Sequence, residues 1–253
     1  MRIKLIACKV MCREVSRLIA DCENYIDVTF LRQGYHNEPQ KLREIIQNEI
    51  DSIDNKSDKR TCNTDNMDFD ALLLGFGLCS NGTAGVSSKR YKIVMPRAHD
   101  CASILLGSSE RYRQIFDECN GGVYWYSCGW IENCPMPCEE TAKKKRESYQ
   151  KKFGKDNAEF LTESEEICLR NYKRAAFIDT GTNHDKYSSF TKSAADYYGW
   201  EYREYQGDLS LLKDFLDGNW DSKRFLILPK NTYAVSSADD KIIKSENCNN
   251  KKE

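Results

Sequence analysis

The sequence lacks the features that would place a chain in a membrane or on a polyanion. No apolar run approaches the ~20 residues of a membrane-spanning helix. Neither sign of charge is in excess. Lys plus Arg number 38 and Asp plus Glu number 39, a formal net charge of -1. Nothing therefore marks a protein built to coat nucleic acid or an anionic bilayer. The N-terminus has no secretory core either. Its apolar stretch Leu5–Ile6–Ala7–Cys8 is cut by Lys9, and Arg13 follows, whereas an export segment needs about 7–15 uninterrupted apolar residues. The stretch reads instead as the first core strand of a cytoplasmic protein. Without export, the sequons at Asn55 and Asn81 carry no meaning. There is no fixed-period repeat and no heptad pattern.

What is present is an ordinary globular mixture, 40% hydrophobic and 30% charged over 253 residues. That length suits one large domain or two modest lobes, with a core that needs no disulfide staples. Cysteine is the unusual count. There are 12, at positions 8, 12, 22, 62, 79, 101, 119, 128, 134, 138, 168 and 248. In a chain without an export signal, clustered thiols point to metal or redox chemistry rather than to disulfides. A single free cysteine is also a common small core residue.

Short β-rich runs alternate with helical stretches. Strands are expected at Arg2–Ala7, Tyr25–Leu31, Phe69–Gly75, Tyr91–Met95 and Gly122–Tyr126, then at Ala175–Asp179, Glu201–Tyr205 and Phe225–Leu228. Phe69–Gly75 is almost wholly apolar, as a central strand covered on both faces requires. Leu42, Ile45, Ile46 and Ile50 fall at helical spacing behind Pro39, which suits a first helical turn. Further helices are expected over 9–20, 100–106, 109–118, 184–198 and 208–216. Asp51–Asn66 reads as an exposed loop. The pattern predicts an α/β protein with a mainly parallel sheet flanked by helices and two unequal lobes. The expected segments are an N-terminal lobe over 1–138, a charged helical connector over 139–173 with a break near Gly154, a C-terminal βα lobe over 174–238, and a frayed polar tail over 239–253.

Ligands of open α/β sheets bind outside the carboxyl ends of the strands. The first strand ends at Cys8. The second is followed by Gly34–Tyr35–His36, and the third by Gly75–Phe76–Gly77–Leu78–Cys79–Ser80–Asn81–Gly82. Pro96–Arg97–Ala98–His99–Asp100–Cys101 follows the fourth strand, and Cys128 follows the fifth. Core cysteines have no reason to recur just past strand ends. Cys8, Cys79, His99 and Cys101 would make a three-sulfur, one-nitrogen set that suits tetrahedral zinc. Three thiolates with an open position would instead suit an iron–sulfur cluster. Asp100 stands where it would serve that site or cap the next helix.

Other motifs carry less. The glycine-containing loop at 75–85 follows a buried strand and offers amides to an anion, with Asn81 and Gly82 as candidate substrate contacts. It is neither a dinucleotide fingerprint, since Ser80 replaces the third glycine, nor a P-loop. Its glycines also serve a tight turn. Arg97 would bind a carboxylate or phosphate, or form a structural ion pair. In Cys134–Pro135–Met136–Pro137–Cys138 two prolines stiffen the loop and no matching cysteine pair exists.

The stretches LLLGFGLCSNG (72–82), MPRAHDCASILLGS (95–108) and GWIEN (129–133) resemble the family catalogued as domain of unknown function 1638. Cys8 with Glu14, and His36 with Pro39, fall where its first two motifs would lie. The resemblance spans about residues 3–230. It implies an anaerobe and methanogen setting beside corrinoid methyltransferase systems, and carries over Cys8, Glu14, His36, Cys79, Arg97, His99, Asp100 and Cys101. Cys128, Cys134 and Cys138 lie outside the family pattern. His-x-Cys with a distant Cys is also similar to the zinc motif of corrinoid-dependent thiol methyltransferases, in site chemistry and not in fold.

The expectation is a cytoplasmic metalloprotein, zinc first and iron–sulfur second, with Cys8, Cys79, His99 and Cys101 as ligands at a cleft shared by the lobes. Glu14 and Asp100 would act as acid/base or orienting groups, and Arg97, Asn81, Gly82 and His36 would bind substrate. Its work would be small-molecule thiol or methyl metabolism on an anionic or methylated substrate, with a corrinoid protein as a candidate partner. The other class is a metal- or corrinoid-handling accessory protein without turnover.

Overall fold

The computed structural model describes residues 1–35, 38–57 and 68–248. His36 and Cys62 lie outside the described residues. In chain order the elements begin with β1 (Arg2–Cys8), α1 (Cys12–Ala20), β2 (Tyr25–Leu31), α2 (Pro39–Asp54), β3 (Ala71–Gly75) and β4 (Ile93–Pro96). There follow α3 (Cys101–Leu105), α4 (Ser109–Glu118), β5 (Val123–Tyr126), α5 (Cys128–Asn133), α6 (Glu139–Phe153), α7 (Lys155–Leu169) and β6 (Arg174–Asp179). The last are α8 (His184–Tyr198), β7 (Glu201–Gln206), α9 (Ser210–Asp217), β8 (Phe225–Leu228), β9 (Thr232–Ser236) and β10 (Ile243–Asn247). Among the described residues no helix is long and apolar enough to cross a membrane.

The chain divides into two compact units. One joins both ends, Met1–Ser109 with Asp208–Glu253, and the other is Glu110–Gly207. These bounds correct the expected segments at 1–138, 139–173 and 174–238. The reason is strand pairing. β5 does not extend the first sheet but pairs in parallel with β6, and β6 with β7. β8 returns to the first sheet, antiparallel to β4.

The first unit holds a five-stranded sheet of order β2-β1-β3-β4-β8, parallel except for β8. Its centre is apolar because both faces are covered. Every residue of β3 is buried, and Leu72, Leu73 and Leu74 are wholly inaccessible, each stabilising the fold by about 1.5–3 kcal/mol. In α2, Pro39 opens the first turn, and Leu42, Ile46, Ile50 and Ile53 form its buried stripe. A buried ion pair, Lys4 Nζ to Asp27 Oδ1 at 2.7 Å, joins adjacent residues of β1 and β2. The expected frayed tail is corrected in part: β9 and β10 form an antiparallel ribbon.

The second unit carries the parallel sheet β5-β6-β7. α6 buries none of its residues. It is charged over most of its circumference and pairs with α7 through Lys145–Glu165 and Tyr149–Glu165 contacts of 2.8 and 2.6 Å. The break between them is at Gly154, whose φ of 81° ends α6.

Candidate metal centre

In the order β2-β1-β3-β4 the connections leaving β1 reverse direction. The loops after β1 and β3 therefore flank a switch point, where open α/β sheets bind ligands. Cys8 is the last residue of β1, Cys79 lies in the turn after β3, and Cys101 opens α3 after β4. All three are buried, at 1%, 2% and 0% exposure. Cys101 interacts with both Cys79 and Cys8. Three separate crossovers thus bring three buried thiols to one edge of the sheet in the first unit, although their sulfurs do not all lie within 4.8 Å of one another.

Two backbone bonds lock the loop after β3 onto the loop after β4. The Leu78 amide donates to the Ala98 carbonyl at 2.8 Å and the Cys79 amide to the His99 carbonyl at 2.9 Å. Gly77 makes this approach possible, since a Cβ there would lie 2.6 Å from the Asp100 nitrogen. The buried Thr83 hydroxyl closes the loop by donating to the Gly77 carbonyl at 3.1 Å. Cys79, Ser80 and Asn81 have φ of 47°, 55° and 67°. Three consecutive non-glycine residues in the left-handed region cost about 1–2 kcal/mol each. The chain holds this strain at the turn that presents Cys79.

The cluster is electrostatically uneven. Its hydrogen bond with Cys101 holds the Cys8 thiol below its ordinary pKa of 9.0, against burial and with help from the Val10 backbone. Cys101 is pushed well above that value by its hydrogen bonds to Cys79 and Cys8 and by burial. Of this pair Cys8 gives up its proton before Cys101. Thiolate sulfur is the donor that soft ions select.

The other expected site residues separate. His99 is half-buried and its carbonyl receives Cys79. Its ring does not complete a closed shell with the thiols. Among the described residues, the group whose His, Cys, Asp or Glu ligand atoms all lie within 4.8 Å of one another is Asp179, His184 and Glu204. Asp100 is a helix cap: its Oδ1 accepts from the Ser103 amide at 3.0 Å and from the Ser103 hydroxyl at 3.3 Å. Glu14 is buried in the first turn of α1, at 1% exposure. The Asn81 carbonyl receives Arg43 Nη2 at 3.1 Å. Gly82 lets the turn lie on α2, where a Cβ would come 2.5 Å from Leu42 Cδ2.

Arg97 is a tether. Its Nε donates to the Ser222 carbonyl at 3.0 Å, and Nη1 reaches the Lys241 carbonyl at 3.0 Å and the Ile243 carbonyl. The guanidinium fork is engaged by the C-terminal backbone, not held open for an anion. Cys128 is on the other sheet, beside the Thr180 hydroxyl at 3.9 Å. The two-proline loop is pinned by Tyr126, whose hydroxyl donates to the Pro137 carbonyl at 2.8 Å. Sequence reasoning passed over Asp179, His184 and Glu204. An Asp closing one strand, a His opening the next helix and an acidic residue in the following strand were the available signal.

The sequence profile described as "Protein of unknown function (DUF1638)" matches residues 30–216. The chain belongs to this family. The match takes in Cys79, Arg97, His99, Asp100 and Cys101, while Cys8 and Glu14 precede it. No curated protein and no solved structure matches the chain. Family membership here fixes a shared sequence pattern and leaves the chemistry to be argued from the site.

Proposed function

We propose that this DUF1638 protein is a thiolate metal protein, zinc first, of small-molecule thiol or methyl metabolism. The observation that carries the reading is the gathering of three buried cysteines, Cys8, Cys79 and Cys101, past the strand ends at the switch point of a parallel sheet. Cys8, Cys79 and Cys101 would hold the ion, with His99 or an incoming thiol as the fourth donor. Zinc held there would lower the pKa of a coordinated thiol and so supply a nucleophile. The chain's own part is to supply Cys8 already biased toward thiolate, to exclude water, and to fix Cys79 and Cys101 through the locked loops.

The near-complete burial of the three sulfurs supports a second reading, an accessory protein that binds a metal or corrinoid-linked group without turnover. Purification without oxygen, followed by elemental analysis, tests both. About one equivalent of zinc is expected. Iron with sulfide would move the assignment to a cluster. Metal-free protein of full native stability would overturn the metal reading. With metal bound, an open fourth position seen by ligand exchange favours catalysis, and a closed one favours the carrier.

A further inference from the structure

The second unit has its own carboxyl edge, and a different set of donors collects there. Asp179 is the last residue of β6, His184 the first of α8, and Glu204 lies in β7. Register explains why they meet. Glu204 is paired with Phe177, and Asp179 is two residues beyond Phe177 on the same face. The buried Phe177 ring meets the His184 ring edge-on, with centroids 6.1 Å apart, and forms an apolar floor beneath it.

Each of the three also has an orienting partner. His184 Nδ1 lies 3.0 Å from Asp185 Oδ1, and Nε2 lies 2.9 Å from Glu204 Oε1. With Nδ1–H donating to Asp185, the carboxylate–histidine arrangement common behind metal ligands, Nε2 faces Glu204 Oε1 and would bind an ion in place of the proton it shares with that carboxylate. The Tyr202 hydroxyl donates to the other Glu204 oxygen, Oε2, at 2.7 Å. The Gly181 amide donates to Asp179 Oδ1 at 2.8 Å. One oxygen of each carboxylate is thus fixed from outside, and the other remains for the cluster. The side chains of His184 and Glu204 are 41% and 37% exposed, so positions opposite them are open to solvent.

We propose that Asp179, His184 and Glu204 form an open site for a divalent transition-metal ion within the second unit. One imidazole and two carboxylates make a harder donor set than the thiol cluster, suited to manganese, iron(II) or zinc. Three protein ligands with vacant positions leave room for water or an anionic ligand on the ion. The inference rests on this unit alone and stands whether or not the thiol centre binds metal.

Manganese(II) is the probe, because it prefers oxygen and nitrogen donors to thiolate. The full chain, kept free of oxygen, is titrated while the electron paramagnetic resonance signal of free Mn2+ is followed. One equivalent is expected to bind. Glu204→Gln keeps the shape and the Tyr202 hydrogen bond, and should weaken binding at least about ten-fold. His184→Ala should do the same, and Asp185→Asn should act in the same direction by a smaller factor. Cys101→Ser should leave binding unchanged. A thermal melt of each variant shows whether it is folded, and Glu204→Gln carries the test if His184→Ala does not fold. Wild-type protein that leaves millimolar Mn2+ free overturns the proposal. So does folded Glu204→Gln that binds like wild type, or binding lost with Cys101→Ser and kept with Glu204→Gln.

Discussion

Cys101 and Cys128 occupy the same local position in the two units. Each is the first residue of a short helix that follows a strand, and each comes directly after a capping residue, Asp100 or Ser127. Yet Cys101 sits among thiols, whereas Cys128 faces the Thr180 hydroxyl. Local sequence does not make the difference. The neighbouring strands do. Beside β4 the sheet brings β3 and then β1, both ending in cysteine-bearing turns. Beside β5 it brings β6, which ends in Asp179 and is followed by Thr180. A motif acquires its surroundings from what the topology places next to it: other thiols in one unit, a threonine hydroxyl in the other.

The largest test of that contrast exchanges one sulfur in each unit. Cys101→Ser should abolish stoichiometric metal at the thiol centre. Serine at Cys128, Cys134 and Cys138 together should leave metal content as in wild type, read by elemental analysis without oxygen. Metal lost in the triple variant would move the centre to the second unit.

Next is Gly77→Ala. The added methyl would meet backbone of the following loop at 2.6–2.8 Å, a clash that no rotamer relieves. Overpacking of this kind costs about 3 kcal/mol, visible as a lower urea midpoint. A midpoint unchanged from wild type would show that the two loops are not locked together.

Arg97→Lys separates a tether from an anion site. Lysine keeps the charge but cannot reach three carbonyls at once, and the loss should be about 1.5 kcal/mol. The protein should melt earlier while metal content stays constant. Weakened binding of an anionic ligand with no change in the melt would restore the substrate-binding role.

The caps differ less. Asp100 makes two bonds to Ser103, whereas Ser127 makes a single long one, 3.4 Å from the Trp130 amide. Asp100→Ala should cost about 1–2 kcal/mol and Ser127→Ala about 0.5–1 kcal/mol. Equal costs in denaturant melts would erase the distinction.

The smallest effect is a pH dependence confined to the thiol cluster. The Cys8 pKa is lowered in the fold, so its contribution to stability grows as pH rises toward the unfolded value of 9.0. The Cys101 pKa is raised, so above 9.0 the unfolded chain releases a proton that the fold retains, and stability falls. In metal-free protein the stability difference between wild type and Cys101→Ala should therefore peak near pH 9. A difference that is flat from pH 7 to 10 would deny the coupling.

Much of the fold was legible in the sequence. β1, β3 and β6 announced themselves as apolar runs, and α2 as a stripe behind Pro39. The strand-end rule located Cys8, Cys79 and Cys101 past the carboxyl edge of one sheet. What could not be read was long-range pairing. Nothing local tells β5 to join β6 rather than β4, or β8 to return across more than a hundred residues. The role of Arg97 was hidden for the same reason, because its acceptors are backbone carbonyls far along the chain. The Asp179, His184 and Glu204 group needed the β6–β7 register, which a single sequence does not supply.

That return of β8 also shapes how the protein is made. Residues 225–228, which cover the edge of β4, emerge about 130 residues after β4 itself. At the usual pace of about 5–20 residues per second, the first sheet spends roughly 6–25 s with an unpaired edge, while all three strands of the second unit are synthesised. An uncovered strand is a template for mispairing. The nascent chain is therefore most exposed to aggregation, and most in need of a chaperone, while the second unit is completing its fold. That interval closes only when Phe225 pairs with Pro96 and the Arg97 amide finds the Arg224 carbonyl at 2.8 Å.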